Sequence, residues 1–425
     1  MNKKMNKKMN RNIMLGQFTK VLTHGNKVIL GNRMNGKWMK MSQECYEILK
    51  LAMQESATTN ELIEAFEDQE DKEYFFELLQ LLYKENLLAD TEEMLLFDKN
   101  FSVDIAITNR CNLRCKHCCV DSDLTNLSDP LDTDVLKTVL NKVVKSKPKS
   151  ICLTGGEPLI RKDFFEILSH LNDIYDGEIR VMTNGTLINS ENVKQLVAHV
   201  SAIDFSIDGV NEDTCSSIRG KGVFNKVLHS VELLKNQHFD KISLSMVLTK
   251  ENYVLRNQFE ELNKELGTRG IARAFSPIGR GKDNKDSLQP KEKEVQIEEI
   301  RMMNLDIDDV HICLCGGLFK EIYINSKGQI YPCGLLERDK YYVGNILEIE
   351  DLSSFLGSGE FKRYDGYQNW EYLQPDKHEK CKDCDVNLFC WNCLHYLDLI
   401  ESNDGFYESV CPELKRNFQR IVWED

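Results

Sequence analysis

The chain runs to 425 residues, 41% of them hydrophobic and 29% charged, with a formal net charge of −14 at pH 7. This is a globular composition with length for two or three domains, and no apolar run approaches the ~20 residues that cross a bilayer. The acidic surplus argues against nucleic acid as the main partner, because phosphate binding needs a basic face.

Residues 1–16 are basic, lack a continuous apolar stretch and a small-residue cleavage site, and read as a short disordered tail rather than a secretory signal. With no export signal, the 15 cysteines point to a reducing cytoplasm, where clustered cysteines bind metal or do catalysis.

Residues 17–92 form the first expected domain. "QFTKVLT", "KVILGN" and "KWMKMS" are strand-like runs separated by Gly and Asn, and amphipathic helices follow near 42–54, 58–68 and 71–87. In the last helix Tyr74, Leu78, Leu81 and Leu82 are expected to make the apolar face. The order β-β-β-α-α-α predicts a winged-helix-like α+β module, whose free sheet edge can accept an added peptide strand.

Residues 93–300 alternate apolar runs with amphipathic helices. Strands are expected at 103–108, 150–154, 179–183, 202–207, 241–247 and 271–276, with helices at 132–145, 162–172, 190–199, 224–236 and 254–266. Such alternation predicts a parallel α/β sheet with right-handed crossovers, and in such folds the chemistry sits at the carboxyl ends of the strands. The unusual residues fall there. "CNLRCKHC" follows the first strand and "GGEP" the second. Residues 277–300 read as a charged loop entering a helix, and 301–425 as a cysteine-rich region containing a hairpin, "EIYINSKGQIYPC".

Cys111, Cys115 and Cys118 form C-x3-C-x2-C. Zinc, a redox dithiol and an iron–sulfur cluster all remain open on spacing, although a structural zinc site needs four ligands and this loop supplies three. Gly155, Gly156, Glu157 and Pro158 could equally be a tight strand-to-helix turn, with glycine permitting close backbone approach. Downstream, Cys381, Cys384, Cys390 and Cys393 could make a zinc ribbon.

Together these motifs resemble the radical S-adenosylmethionine (SAM) superfamily over residues 103–276. The resemblance implies a partial (β/α)6 barrel in which Cys111, Cys115 and Cys118 bind a 4Fe–4S cluster whose open iron is chelated by SAM. One electron into the sulfonium then yields a 5′-deoxyadenosyl radical. It further implies that Gly155, Gly156, Glu157 and Pro158 line the amino end of SAM, with Glu157 accepting from its ammonium. Thr183 and Asn184 of "TNGT" and Ser206 and Asp208 of "SIDG" would meet the ribose and carboxylate, and Arg219 would pair the methionyl carboxylate. Cys119, Cys45, Cys152 and Cys215 stand outside the pattern.

Residues 310–415 resemble the SPASM extension of these enzymes. That implies two auxiliary 4Fe–4S clusters, three in all: Cys315, Cys333 and Cys393, with Cys313 completing the set or leaving an open iron, and Cys381, Cys384, Cys390 and Cys411. The family spacing differs here, since only "WN" separates Cys390 from Cys393. The N-terminal module resembles the PqqD-like element that binds leader peptides. The whole arrangement resembles maturases of ribosomally made peptides, implying a thioether or carbon–carbon crosslink in a precursor peptide and a flavodoxin- or ferredoxin-type electron donor. A sulfatase-maturing or cofactor-building oxidoreductase is the alternative, and a non-catalytic electron-transfer protein a third.

Overall fold

The computed structural model describes residues 10–90, 100–124, 128–290, 310–312, 315–390, 393–401, 407–408 and 410–424. They fall into two compact units, one of residues 1–95, 298–315 and 371–425, the other of 96–297 and 316–370. Residues 316–370 of the cysteine-rich region group with the barrel, and 298–315 and 371–425 with the first unit.

In the first unit, β1 (Met14–Leu15) precedes a three-stranded antiparallel sheet of β2 (Thr19–His24), β3 (Lys27–Asn32) and β4 (Trp38–Ser42). Three helices follow, α1 (Gln43–Gln54), α2 (Thr59–Glu64) and α3 (Gln69–Lys84), and β5 (Leu88–Ala89) returns to pair with β1. Each helix starts on a side-chain cap. Ser42 accepts from Cys45 N, Thr58 and Glu61 form a reciprocal capping box, and Asp68 accepts from Glu70 N and Asp71 N. The three strands β2–β4 and three helices are the expected ones in the expected order, but β1 and the buried Ile13 lie in the stretch 1–16 expected to be a disordered tail, held there by pairing with β5 and by the apolar core.

One expected face is corrected. Tyr74 and Leu81 are exposed, at 49% and 46%, and the buried stripe of α3 is Phe75, Leu78, Leu79 and Leu82. Those four sit at i, i+3, i+4 and i+7, the spacing of one helical face, whereas Tyr74 and Leu81 lie a residue to the side.

The small sheet buries both of its faces. Val28 and Leu30 of β3 join the helices in one core, while Leu22 and Ile29 face the other way onto Ile312, Val386, Phe389, Phe418 and Trp423. Alternation along a strand permits this, because successive side chains point to opposite sides. Gly31 is where the approach is closest: a Cβ there would lie 1.8 Å from Ile312 Cδ1. Polar contacts lock the second face. Trp38 Nε1 donates to Val310 O at 2.7 Å, and His24 stacks on Trp423 while bonding Asp385 at 2.6 Å.

The second unit is a nine-stranded sheet in the order β11-β10-β9-β8-β7-β6-β12-β13-β14. β6 (Ser102–Ala106), β7 (Ser150–Thr154), β8 (Glu178–Thr183), β9 (Ala202–Ser206), β10 (Ile242–Leu248) and β11 (Arg269–Ala274) are parallel. β12 (Glu321–Ile324) adds in parallel beside β6, and β13 (Gln329–Tyr331) and β14 (Gly344–Asn345) follow antiparallel. The helices α4 (Thr133–Lys145), α5 (Phe164–Ile174), α6 (Val193–His199), α7 (Glu212–Arg219), α8 (Val223–Asn236) and α9 (Arg256–Leu266) connect them. This is the expected partial barrel, with one short helix, α7, that the periodicity did not announce.

The sheet's two faces differ sharply. Val103, Ile105, Ile151, Leu153, Val181, Ile203 and Phe205 are buried among the helices. The residues between them, Asp104, Cys152, Arg180, Met182, Asp204 and Ser206, are mostly polar and form the concave face. Hydrophobic burial against the helices fixes the register, since a slip of one residue would exchange the faces.

Candidate active site

The cysteine loop leaves β6 and folds at the carboxyl ends of the strands. Each of its thiols has an N–H donor nearby. Leu113 N and Asn184 Nδ2 point at Cys111 Sγ (3.4 and 3.8 Å), Arg219 Nη1 at Cys115 Sγ (3.7 Å) and Ser122 N at Cys118 Sγ (3.4 Å). Such donors stabilise sulfur that carries negative charge, so the donor set suits thiolates ligating an iron–sulfur cluster. Burial pushes the free Cys111 thiol up to about 11 and raises Cys115 as well. Among the described residues, no three Cys, His, Asp or Glu side chains converge on a single metal-ion position.

The "GGEP" segment packs directly on this loop. Gly156 N donates to Thr108 O and Glu157 N to Arg110 O, both at 2.8 Å. At Gly155, with φ +140°, a Cβ would stand 2.2 Å from Thr108 O, and at Gly156 2.3 Å from Arg110 O. No other residue fits that approach.

Glu157 has no exposed surface, and its carboxylate accepts from Thr183 Oγ1 (2.8 Å), Asn184 N (2.7 Å) and Leu159 N (3.1 Å). Burial lifts it to about 7 against those bonds. The expected ammonium contact thus meets a carboxylate already engaged by the chain. Its part in this structure is to tie the ends of β7 and β8 together. Thr183 and Asn184 are the other half of that tie, and Asn184 Nδ2 also donates to Asn112 of the cysteine loop at 2.9 Å.

Asp208 and Arg219 form a buried ion pair, Nε to Oδ2 2.5 Å, and Asp208 also bonds His117 and accepts from Val247 N. Burial would raise the Asp208 carboxyl, but Arg219 and His117 overcome it and hold it down to about 2. Here too the residues expected on the cofactor's carboxylate and ribose are partly engaged with one another. His117, inside the motif itself, was passed over in the sequence because its partner lies 91 positions away.

Arg280 is another residue that sequence reasoning missed. Its guanidinium donates to Cys115 O (3.0 Å) and Ser122 O (2.7 Å) and pairs with Asp121, while Gly281 N reaches Cys118 O. The only signal was the "GRG" after β11. Ser206 ends β9, half-buried and opposite Ser245.

Of the downstream cysteines, Cys381, Cys384, Cys390 and Cys411 line one small pocket with Lys380, Asn387 and Leu414. Cys333 follows β13 in the barrel unit, and Cys315 and Cys393 belong to the other unit. Cys313 lies outside the described residues. Cys152 and Cys215 are core residues, and Cys45 faces the Tyr74 hydroxyl.

Residues 105–262 match the Radical SAM superfamily and residues 313–385 the SPASM iron–sulfur cluster-binding domain. The chain is 30% identical over 327 residues to an AdoMet-dependent heme synthase of Methanosarcina barkeri, spanning 68% of this chain and 89% of that protein. The chain belongs to the radical SAM superfamily. It is also 26% identical to the mycofactocin maturase MftC of Mycolicibacterium smegmatis over 65% of this chain and 74% of that one. With the subtilosin biosynthesis protein AlbA of Bacillus subtilis it shares 24% identity over 82% and 81% of the two chains. The crystal structure of Streptococcus suis SuiB bound to S-adenosylmethionine superimposes with TM-score 0.56 and 15% identity, covering 92% of this chain and 97% of that one. This radical SAM enzyme therefore combines the superfamily's α/β core with a SPASM extension, a pairing that binds SAM and iron–sulfur clusters. No helix among the described residues is long and apolar enough to cross a membrane.

Proposed function

We propose that this radical SAM enzyme oxidatively crosslinks a ribosomally made precursor peptide, forming a thioether or carbon–carbon bond. The observation that carries the reading is the N-terminal sheet. Its order β2-β3-β4 puts β4 (Trp38–Ser42) at one edge of the three-stranded sheet, the kind of position at which an extended leader peptide adds as a strand. The relatives support it: MftC is named a maturase, AlbA serves a bacteriocin, and SuiB has been solved with its precursor peptide SuiA.

In this reading Cys111, Cys115 and Cys118 hold the cluster that binds SAM. When bound, SAM supplies a 5′-deoxyadenosyl radical that takes a hydrogen atom from the peptide. Gly155 and Gly156 keep the backbone close to the cysteine loop, Asn184 and Arg219 donate to its sulfurs, and Ser206 and Arg219 present polar groups to the cofactor. Cys381, Cys384, Cys390 and Cys411 would hold an auxiliary cluster in their pocket, and a small flavodoxin or ferredoxin would supply electrons.

The test is intact-mass and fragment analysis of a precursor peptide encoded beside the gene, incubated anaerobically with enzyme, SAM and reductant. A loss of two hydrogens placed between two residues is the expected result; 5′-deoxyadenosine formation with unchanged peptide would overturn it. Hydrogen exchange of the full enzyme with a synthetic leader should protect the amides of residues 38–42. The heme synthase match favours a second reading, oxidation of a tetrapyrrole during cofactor synthesis. The acidic concave face of the barrel opposes a polycarboxylate substrate, and a porphyrin binding titration separates the two.

A further inference from the structure

Barrels of parallel strands ordinarily fill their interior with branched apolar side chains. This one does not. In register across β12, β6, β7 and β8, the concave face carries Tyr323, Asp104, Cys152 and Arg180, with Glu321 two residues before Tyr323 on the same side. Met182, on that face of β8, stands opposite Asp204 of β9. The interior is thus lined by charge and open to water at β11, whose Arg273 is exposed.

Most of these groups have partners within the chain. Asp204 is held by Arg180 at 2.6 Å and by Ser243. Glu337, at the same end of the interior, accepts from Tyr323 Oη and Asn325 Nδ2, each at 3.0 Å. Arg273 donates to Ser245 Oγ at 3.1 Å.

Two carboxyls are left over. The side-chain carboxyls of Asp104 and Glu321, on adjacent strands, accept no hydrogen bond from any described residue, and they share the field of Arg273. Both residues are half-buried. Burial lifts Asp104 to about 6, with Arg273 and Arg180 opposing and Asp204 adding to the rise. Burial lifts Glu321 to about 7, with Asp104 adding and Arg273 opposing. Cys119, on the cysteine loop, lies within the field of the same Arg273.

Resting on the peptide-crosslinking reading, we propose that Asp104, with Glu321 beside it, is the proton acceptor for the peptide in the barrel interior. Crosslinking removes two hydrogens from the peptide. One leaves as an atom to the 5′-deoxyadenosyl radical, giving 5′-deoxyadenosine. The other leaves the attacking group as a proton to the Asp104 carboxylate as the new bond forms, and the remaining electron passes to an oxidised iron–sulfur cluster. An unpartnered carboxylate titrating just below neutrality suits the proton step, because a base works best with its pKa near the operating pH.

The test compares wild type with Asp104→Asn and Glu321→Gln, using the holoenzyme and its precursor peptide, and reads crosslinked peptide and 5′-deoxyadenosine separately. Iron content and circular dichroism verify the fold. Asp104→Asn should cut the crosslinked product per 5′-deoxyadenosine by about 100-fold, within the range for a lost general base. Glu321→Gln removes a neighbouring negative charge, so the rise in product with pH should move to lower pH. The wild-type product rate should rise with pH through about 6, as Asp104 loses its proton, and Asp104→Asn should lose that rise. An unchanged product ratio in Asp104→Asn overturns the proposal alone. An unmodified peptide with wild-type enzyme that still cleaves SAM removes the crosslinking reading and the proposal with it.

Discussion

At the scale of single residues, the site is held together by charges that face inward. Asp208 shows no exposed surface and compensates Arg219, which in turn donates toward Cys115 Sγ. Asp208→Asn would leave the guanidinium buried without its counter-ion, a loss of about 3–5 kcal/mol for a broken buried pair. Chemical denaturation of the variant should show that loss, with reduced iron per chain after reconstitution. The pH dependence has a definite sign. The folded carboxyl titrates at about 2 against 3.8 unfolded, so the unfolded chain binds the proton more readily. The advantage of wild type over the variant is complete above the unfolded value and shrinks as pH falls toward 2. The His117–Asp208 bond was hidden in the sequence because its partners lie 91 positions apart. By contrast the cysteine motif was legible, since its ligands sit within one turn of loop.

At the scale of elements, the strands and helices follow from local pattern, and the exceptions show where pattern is weak. In α3 the apolar residues are so dense that two stripes fit the helical period, and only the packed core separates them. Leu79→Ala, at a position with no exposure, should cost about 2–5 kcal/mol in a denaturant titration. Leu81→Ala, 46% exposed, should fall within about 0.5 kcal/mol of wild type in the same titration. The turn after β7 is stricter. Gly155→Ala adds a Cβ at φ +140° against Thr108 O, so it should displace the cysteine loop and lower SAM-dependent 5′-deoxyadenosine formation along with iron content. Thr58→Ala, which removes half of the capping box of α2, should lower stability by about 1 kcal/mol and leave SAM cleavage unchanged.

At the scale of the whole molecule, the N-terminal module is not a detachable appendage. Its sheet buries Leu22 and Ile29 against Phe389, Phe418, Ile421 and Trp423 of the C-terminal segment. Deleting residues 1–90 should therefore expose an apolar face and give an aggregating protein on size-exclusion chromatography, so truncation is a poor test of leader binding. The sequence by itself determined the superfamily, the parallel barrel, the cysteine loop and the turn at "GGEP", because each is written in contiguous residues whose spacing reflects local geometry. Only the tertiary structure decided that Glu157 braces two strands, that Arg280 returns to the cysteine loop and that Asp104 and Glu321 are left unpaired. It also decided that residues 371–425 close onto the N-terminal sheet. Those outcomes depend on which side chains meet across strands and between distant segments, and burial rather than local propensity selects them.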